Sequence, residues 1–190
     1  MNNRTNIILV GMPGSGKSTV GVILAKRLAL DYLDTDILIQ KTAKRTLQKI
    51  VDLEGHMVLR ILEEQALLSI DCRNHVIATG GSAVYSEPAM RHLKQSGIII
   101  FLHADLAALQ KRVWNYETRG IAKRPGQSLQ DLFAERMALY EKYADITVHG
   151  SHLNHDQVCE AIFEELQPLS LPIIVPKGSQ SPALKCRSNR

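Results

Sequence analysis

A chain of 190 residues, 45% apolar and 22% charged, holds enough hydrophobic material to close one core and fits a single domain. No apolar run approaches the ~20 residues of a membrane span, so no membrane contact is expected. The net charge of +4 sits in the last stretch, where Lys177, Lys185, Arg187 and Arg190 follow Pro168 without an acidic residue; +4 minus 4 leaves a neutral body, which argues against a nucleic-acid partner.

Asn6 to Val10 (NIILV) has the length of a buried strand, and Val20, Ile23, Leu24 and Leu28 after a glycine-rich stretch predict a helix. The apolar pair Tyr32-Leu33 then puts Asp34-Thr35-Asp36 near the carboxyl end of a second strand. Residues 36 to 70 carry helical spacing broken at Gly55, giving one or two short helices and a longer one to about Ile70. His75 to Ala78 and Gly97 to Leu102 read as buried strands, joined by a helix that Ser86 can cap, and another helix runs from about Asp105 to Trp114.

Residues 115 to 127 hold two glycines, a proline and several charges without apolar period, the mark of a mobile surface loop. Ser128 with Asp131 has capping-box spacing and opens a helix to about Tyr143; Asp145 to Val148 is the last strand and residues 154 to 166 the last helix. Strands alternating with helices predict an α/β fold, a parallel sheet covered on both faces. The domain is expected to span residues 1–167, with residues 168–190 a basic Pro/Ser-rich tail whose Leu169 to Val175 part can dock on the body.

Cys72, Cys159 and Cys186 are odd in number and lack zinc-ligand spacing, so free thiols are expected. The polar start, Met1 to Thr5, leads directly into a strand; no secretory segment is expected, and a cytoplasmic location follows. His149, His152 and His155 recur every three residues but have little carboxylate or cysteine company, and read as surface histidines. Tyr140 and Tyr143 read as core residues.

The run Gly11-Met12-Pro13-Gly14-Ser15-Gly16-Lys17-Ser18 matches GxxxxGK[ST] between a strand and a helix. Its glycines let backbone N–H groups turn inward around phosphate oxygens, and the helix N-terminus adds its positive end. Lys17 is expected to reach the β- and γ-phosphates of ATP, the Ser18 hydroxyl to ligate Mg²⁺, and Thr19 to lie near the α-phosphate; Gly14, Ser15 and Gly16 complete the nucleotide loop. The motif names a nucleotide, not a reaction. Asp34 and Asp36 at the carboxyl edge of the sheet can divide the remaining work, Asp34 holding Mg²⁺ through water and Asp36 accepting the hydrogen bond of an attacking hydroxyl. A plain alternative is that Asp36 only caps the next helix.

With these residues the chain resembles the shikimate kinases. The family pattern continues as Gly55-His56-Met57-Val58-Leu59-Arg60, Gly80-Gly81-Ser82, Arg124-Pro125 and Arg136-Met137-Ala138-Leu139-Tyr140, in order from about residue 6 to 166. The resemblance implies a three-layer P-loop NTPase fold of the nucleoside-monophosphate-kinase type: a parallel sheet of about five strands, a mobile lid and a substrate-binding helical segment. It implies a monomer that phosphorylates a small carboxylated hydroxy compound, shikimate to shikimate 3-phosphate, in aromatic amino-acid biosynthesis. Asp36 would hold the acceptor hydroxyl, Arg60 and Arg136 its carboxylate, and Gly80 and Gly81 its near side. Arg124 would close over ATP and Arg112 lie along the adenine. Without the family pattern, Arg60 and Arg136 read as exposed helix charges.

The chain departs from the pattern at His56 (usually Glu), Leu59 (usually Phe) and Ser82 (usually Gly), and Arg119 in the loop competes with Arg124 for the lid role. Two other readings stand beside shikimate: a related kinase for another hydroxy acid such as homoserine, and a nucleotide-binding regulatory protein without turnover.

Overall fold

The computed structural model describes residues 4–113 and 120–169. Trp114, residues 115–119 of the expected loop, Arg119 among them, and residues 170–190 with Cys186 lie outside the described residues. Five strands, β1 (Asn6–Val10), β2 (Asp31–Asp34), β3 (His75–Ala78), β4 (Gly97–His103) and β5 (Ile146–His149), form one sheet in the order β2-β3-β1-β4-β5. Every pairing is parallel; Ile8 of β1 stands opposite Ile77 of β3 and Ile99 of β4. The α/β architecture expected from alternating strands and helices is what the chain adopts.

The period of two along each strand divides the core. Ile8, Val10, Ile77, Ile99 and Phe101 pack on one face, and Ile7, Leu9, Val76, Ile98, Ile100 and Leu102 on the other. The second face is covered by α1 (Lys17–Leu28), through Val20 and Leu24, and by α8 (His155–Leu166), through Val158, Cys159, Ile162 and Leu166. The first receives α4 (His56–Leu68), α5 (Glu87–Ser96), α6 (Leu106–Arg112) and α7 (Leu129–Tyr143). Phe101 stacks on Tyr140 with ring centroids 5.0 Å apart, and truncating a buried ring of this kind to alanine costs roughly 3–5 kcal/mol.

Short polar signals set the helix starts. Ser86 accepts from the Ala89 N–H, Asp105 from Ala108, and Ser128 with Asp131 and Asn154 with Gln157 form reciprocal capping boxes. The helix after β4 ends at Arg112, short of Trp114, with Val113 as its C-cap. The segment after β2 folds as α2 (Thr35–Ala43) and α3 (Leu47–Glu54), which with Leu59 of α4 and Ala122 form a separate small cluster around Ile39 and Ile50. This cluster and the 3-10 turn Ala83–Tyr85 stand beside the carboxyl edge of the sheet, where open α/β sheets bind ligands. Among the described residues no helix is long and apolar enough to cross a membrane.

Candidate active site

The glycine loop leaves β1 and enters α1 through Gly16, whose φ of 99° lies in the left-handed region open to glycine. No side chain caps α1, and its first turn carries no acidic residue, so its positive end stays directed at an anion. Lys17 is 8% exposed and folds back along the loop, its Nζ donating to the carbonyls of Gly11 (2.8 Å) and Met12 (3.0 Å).

Asp34 ends β2 and serves two partners. Its Oδ1 accepts from the Asp36 N–H (2.9 Å) and the Ile37 N–H (3.4 Å), so Asp34, not Asp36, caps α2; the chain turns helical at Thr35, one residue before the expected start. Its Oδ2 accepts from Ser18 Oγ (2.8 Å) and Tyr32 OH (3.1 Å). Burial first, and the neighbouring Asp34 second, push the Tyr32 pKa up and keep the phenol a donor. A hydroxyl and a carboxylate in contact beside an anion loop suit Mg²⁺, which takes one or two protein oxygens and fills its octahedron with water and phosphate. Ser18 would be the direct ligand and Asp34 the partner of a bound water. Among the described residues no group of three or more His, Cys, Asp or Glu side chains is arranged around a metal position.

A cavity of about 360 Å³ opens from this loop toward Asp36, Leu59, Glu63, Gly80, Gly81 and Arg136. The two glycines allow the close approach: a Cβ on Gly80 would meet Glu63 Oε1 at 2.1 Å and Asp36 Oδ1 at 2.8 Å, and one on Gly81 would meet Arg136 Nη1 at 2.9 Å. The Gly80 N–H donates to Thr35 Oγ1 (3.0 Å), which ties the end of β3 to the start of α2. Tyr140, a core residue, donates through its hydroxyl to the Gly81 carbonyl (2.6 Å).

Arg136 is fully buried. Its Nη2 donates to the Ala122 carbonyl (2.7 Å), its Nε contacts Tyr85 OH at 3.4 Å, and its Nη1 is buried without a partner. Glu63, 3% exposed, accepts from Ser82 through Oε2, while Oε1 is also without a partner. Burial, reinforced by Asp36, pushes the Glu63 pKa up to about 7 against the pull of Ser82, Arg136 and Lys17.

The remaining expected site residues are spread around this centre. Thr19 and Arg112 line the cavity; Arg112 also donates to the carbonyls of Gly150 (3.2 Å) and Ser151 (3.0 Å). Ser15 Oγ is buried without a partner, and Gly14 lines the cavity wall. Arg60 lines an adjoining groove that shares Glu63 and Ser82 with the cavity, with its Cζ 3.6 Å from the Tyr85 ring centroid. Arg124 is exposed and pairs with Glu135 at 2.6 Å, outside the cavity lining.

Glu63, Tyr85, Thr35 and His155 escaped the sequence reading. Glu63 follows Arg60 by three residues, a spacing that puts both on one side of a helix. His155, read as a surface histidine, is exposed yet lines the cavity beside Gly16. His56, half-buried at the start of α4, has its pKa lowered by burial and then by Arg60 and Arg124.

The shikimate kinase family model matches residues 13–167. A shikimate kinase of Rippkaea orientalis is 37% identical, over 90% of this chain and 91% of its own length, and one of Pseudomonas aeruginosa is 37% identical over 86% and 97%. A solved shikimate kinase of Acinetobacter baumannii, in complex with shikimate, superposes with a TM-score of 0.81 at 30% identity, covering 90% of this chain and 97% of the other.

Proposed function

The chain belongs to the shikimate kinase family, and we propose that it transfers the γ-phosphoryl group of ATP to a hydroxyl of shikimate, giving shikimate 3-phosphate. The observation that carries this reading is the fully buried Arg136, whose unpartnered Nη1 stands beside Gly81 in the cavity that also holds the phosphate loop. A buried guanidinium with an open donor calls for an anionic partner, and a carboxylate matches its fork. The solved relative that contains shikimate agrees with that choice.

In this mechanism Gly14, Ser15, Gly16 and Thr19 cradle the nucleotide phosphates, and Lys17 leaves its loop carbonyls to follow the charge on the transferring group. Ser18 and Asp34 would hold Mg²⁺, which would supply charge neutralisation at the phosphate oxygens. Asp36 orients the acceptor hydroxyl, since a loose transition state asks little of a base. Arg136 and Arg60 grip the carboxylate, with Gly80 and Gly81 shaping the wall. Arg112 and Arg124 belong to the nucleotide side, and Arg124 reaches it by leaving Glu135. Residues 1–167 form the catalytic domain, 168–190 a basic tail. The enzyme acts as a monomer, without nucleic acid or membrane. A cytoplasmic location accords with the free thiols of Cys72 and Cys159.

The test is ADP release from MgATP with shikimate, with homoserine and with no acceptor. Release that depends on shikimate and is absent with homoserine is expected. ADP release indifferent to shikimate would overturn the assignment.

A further inference from the structure

The two arginines assigned to the acceptor carboxylate share a third residue that nothing in the sequence pattern singles out. Tyr85 ends the 3-10 turn that follows Gly80-Gly81-Ser82. Its ring centroid is 3.6 Å from the Cζ of Arg60 and 5.2 Å from the Cζ of Arg136. Its hydroxyl donates to Glu135 Oε1 at 2.7 Å and meets the Nε of Arg136 at 3.4 Å.

We propose that Tyr85 is a positioning residue for acceptor binding, a spacer that holds Arg60 and Arg136 about its ring and leaves Arg60 Nε and Arg136 Nη1 open to the substrate. The inference rests on the shikimate kinase reading of those two arginines. Two guanidinium cations brought together in a partly dry site repel one another and lose hydration. Burial first, and the charge of Arg136, lower the Arg60 pKa against the pull of Tyr85, Glu135 and Glu63. A carboxylate between them would relieve the repulsion, but it would also occupy the N–H forks that the substrate carboxylate needs. An aromatic ring attracts a cation through its face and leaves the in-plane N–H donors open. Arg60 Nε and Arg136 Nη1 are both buried without partners, as such a holder predicts. Glu135 accepts from the Tyr85 hydroxyl and so fixes the ring from outside the pair.

Kinetics of Tyr85→Leu, Tyr85→Met and Tyr85→Phe beside the wild type test the proposal, with melting temperatures recorded for each. Loss of the ring in Tyr85→Leu is expected to raise the KM for shikimate roughly 5- to 30-fold, the range that a lost cation–π contact at a partly desolvated site gives. The KM for ATP should stay within about twofold, because that site does not use the pair. Tyr85→Phe keeps the ring and should stay within about threefold of wild type for shikimate. Tyr85→Met fills the space without a π face and reads the same contact should the leucine variant not fold. An unchanged shikimate KM in the leucine or methionine variant, or equal rises for shikimate and ATP, would overturn the proposal and leave Tyr85 a packing residue. A wild type without shikimate-dependent turnover removes the functional assignment and this inference together; an active wild type with indifferent Tyr85 variants removes the inference alone.

Discussion

The donor side of the cavity is one run of chain, Gly11 to Thr19, whereas the acceptor side collects Asp36, Glu63, Gly81 and Arg136 from α2, α4, the turn after β3 and α7. The donor side meets its anion with backbone dipoles and one lysine, groups that the strand-loop-helix geometry aims without help from distant packing. The acceptor side meets its anion with a fully buried arginine near a buried glutamate carboxyl. Such groups are tolerable only when their neighbours compensate them, so function and stability are coupled there and nearly separate in the loop.

That contrast can be broken most easily at Lys17. Lys17→Met should lower kcat/KM roughly 10³-fold, the scale of losing a charge directed at the transferring phosphoryl group, with little change in melting temperature by calorimetry. A collapse in thermal stability would erase the difference between the two sides. Next in size, Arg136→Lys keeps the charge and loses the fork; kcat/KM for the acceptor should fall roughly 100-fold while the KM for ATP holds and the melting temperature drops. Parallel changes in both KM values would show that the cavity is not divided as described.

Glu63→Gln sharpens the comparison through pH. The folded pKa of Glu63, raised by burial to about 7, lies above its ordinary value of 4.5, so the folded state holds the proton more tightly than the unfolded chain. The stability this contributes is fully present below about pH 4.5 and is lost as pH rises through about 7. Melting curves at pH 5 and pH 8 should therefore show the wild type losing ground to Glu63→Gln at the higher pH; an equal gap at both would mean that the carboxyl does not titrate there. The smallest effect is expected from Ser82→Gly. Its hydroxyl lowers the Glu63 pKa, so its removal should raise the folded pKa further and extend the stability loss to higher pH. A shift to lower pH would contradict that sign.

Most of the fold was legible because its signals are local. NIILV carries its own strand, and Ser128 with Asp131 marks a helix start that the structure reproduces as a capping box. The phosphate loop was legible for the same reason. Asp34 and Asp36 show where local reading stops: two carboxylates two residues apart can each be the cap, and the choice turned on whether the strand ended at residue 34 or 35. Glu63 carried a helical spacing from Arg60, but spacing does not say that its face turns inward. Tyr85 stands on a single 3-10 turn with no period to read, and its meaning comes from Arg60 and Arg136, which the sequence keeps 25 and 51 residues away. The pairing of Arg124 with Glu135 likewise exists only after α7 has docked.

The most direct measurement is the ratio of kcat/KM for shikimate to that for its methyl ester, with MgATP and the unmodified enzyme. A preference for the acid of roughly 100-fold or more is expected, because the ester leaves the buried guanidinium donor unpaired. Equal turnover of acid and ester would contradict it.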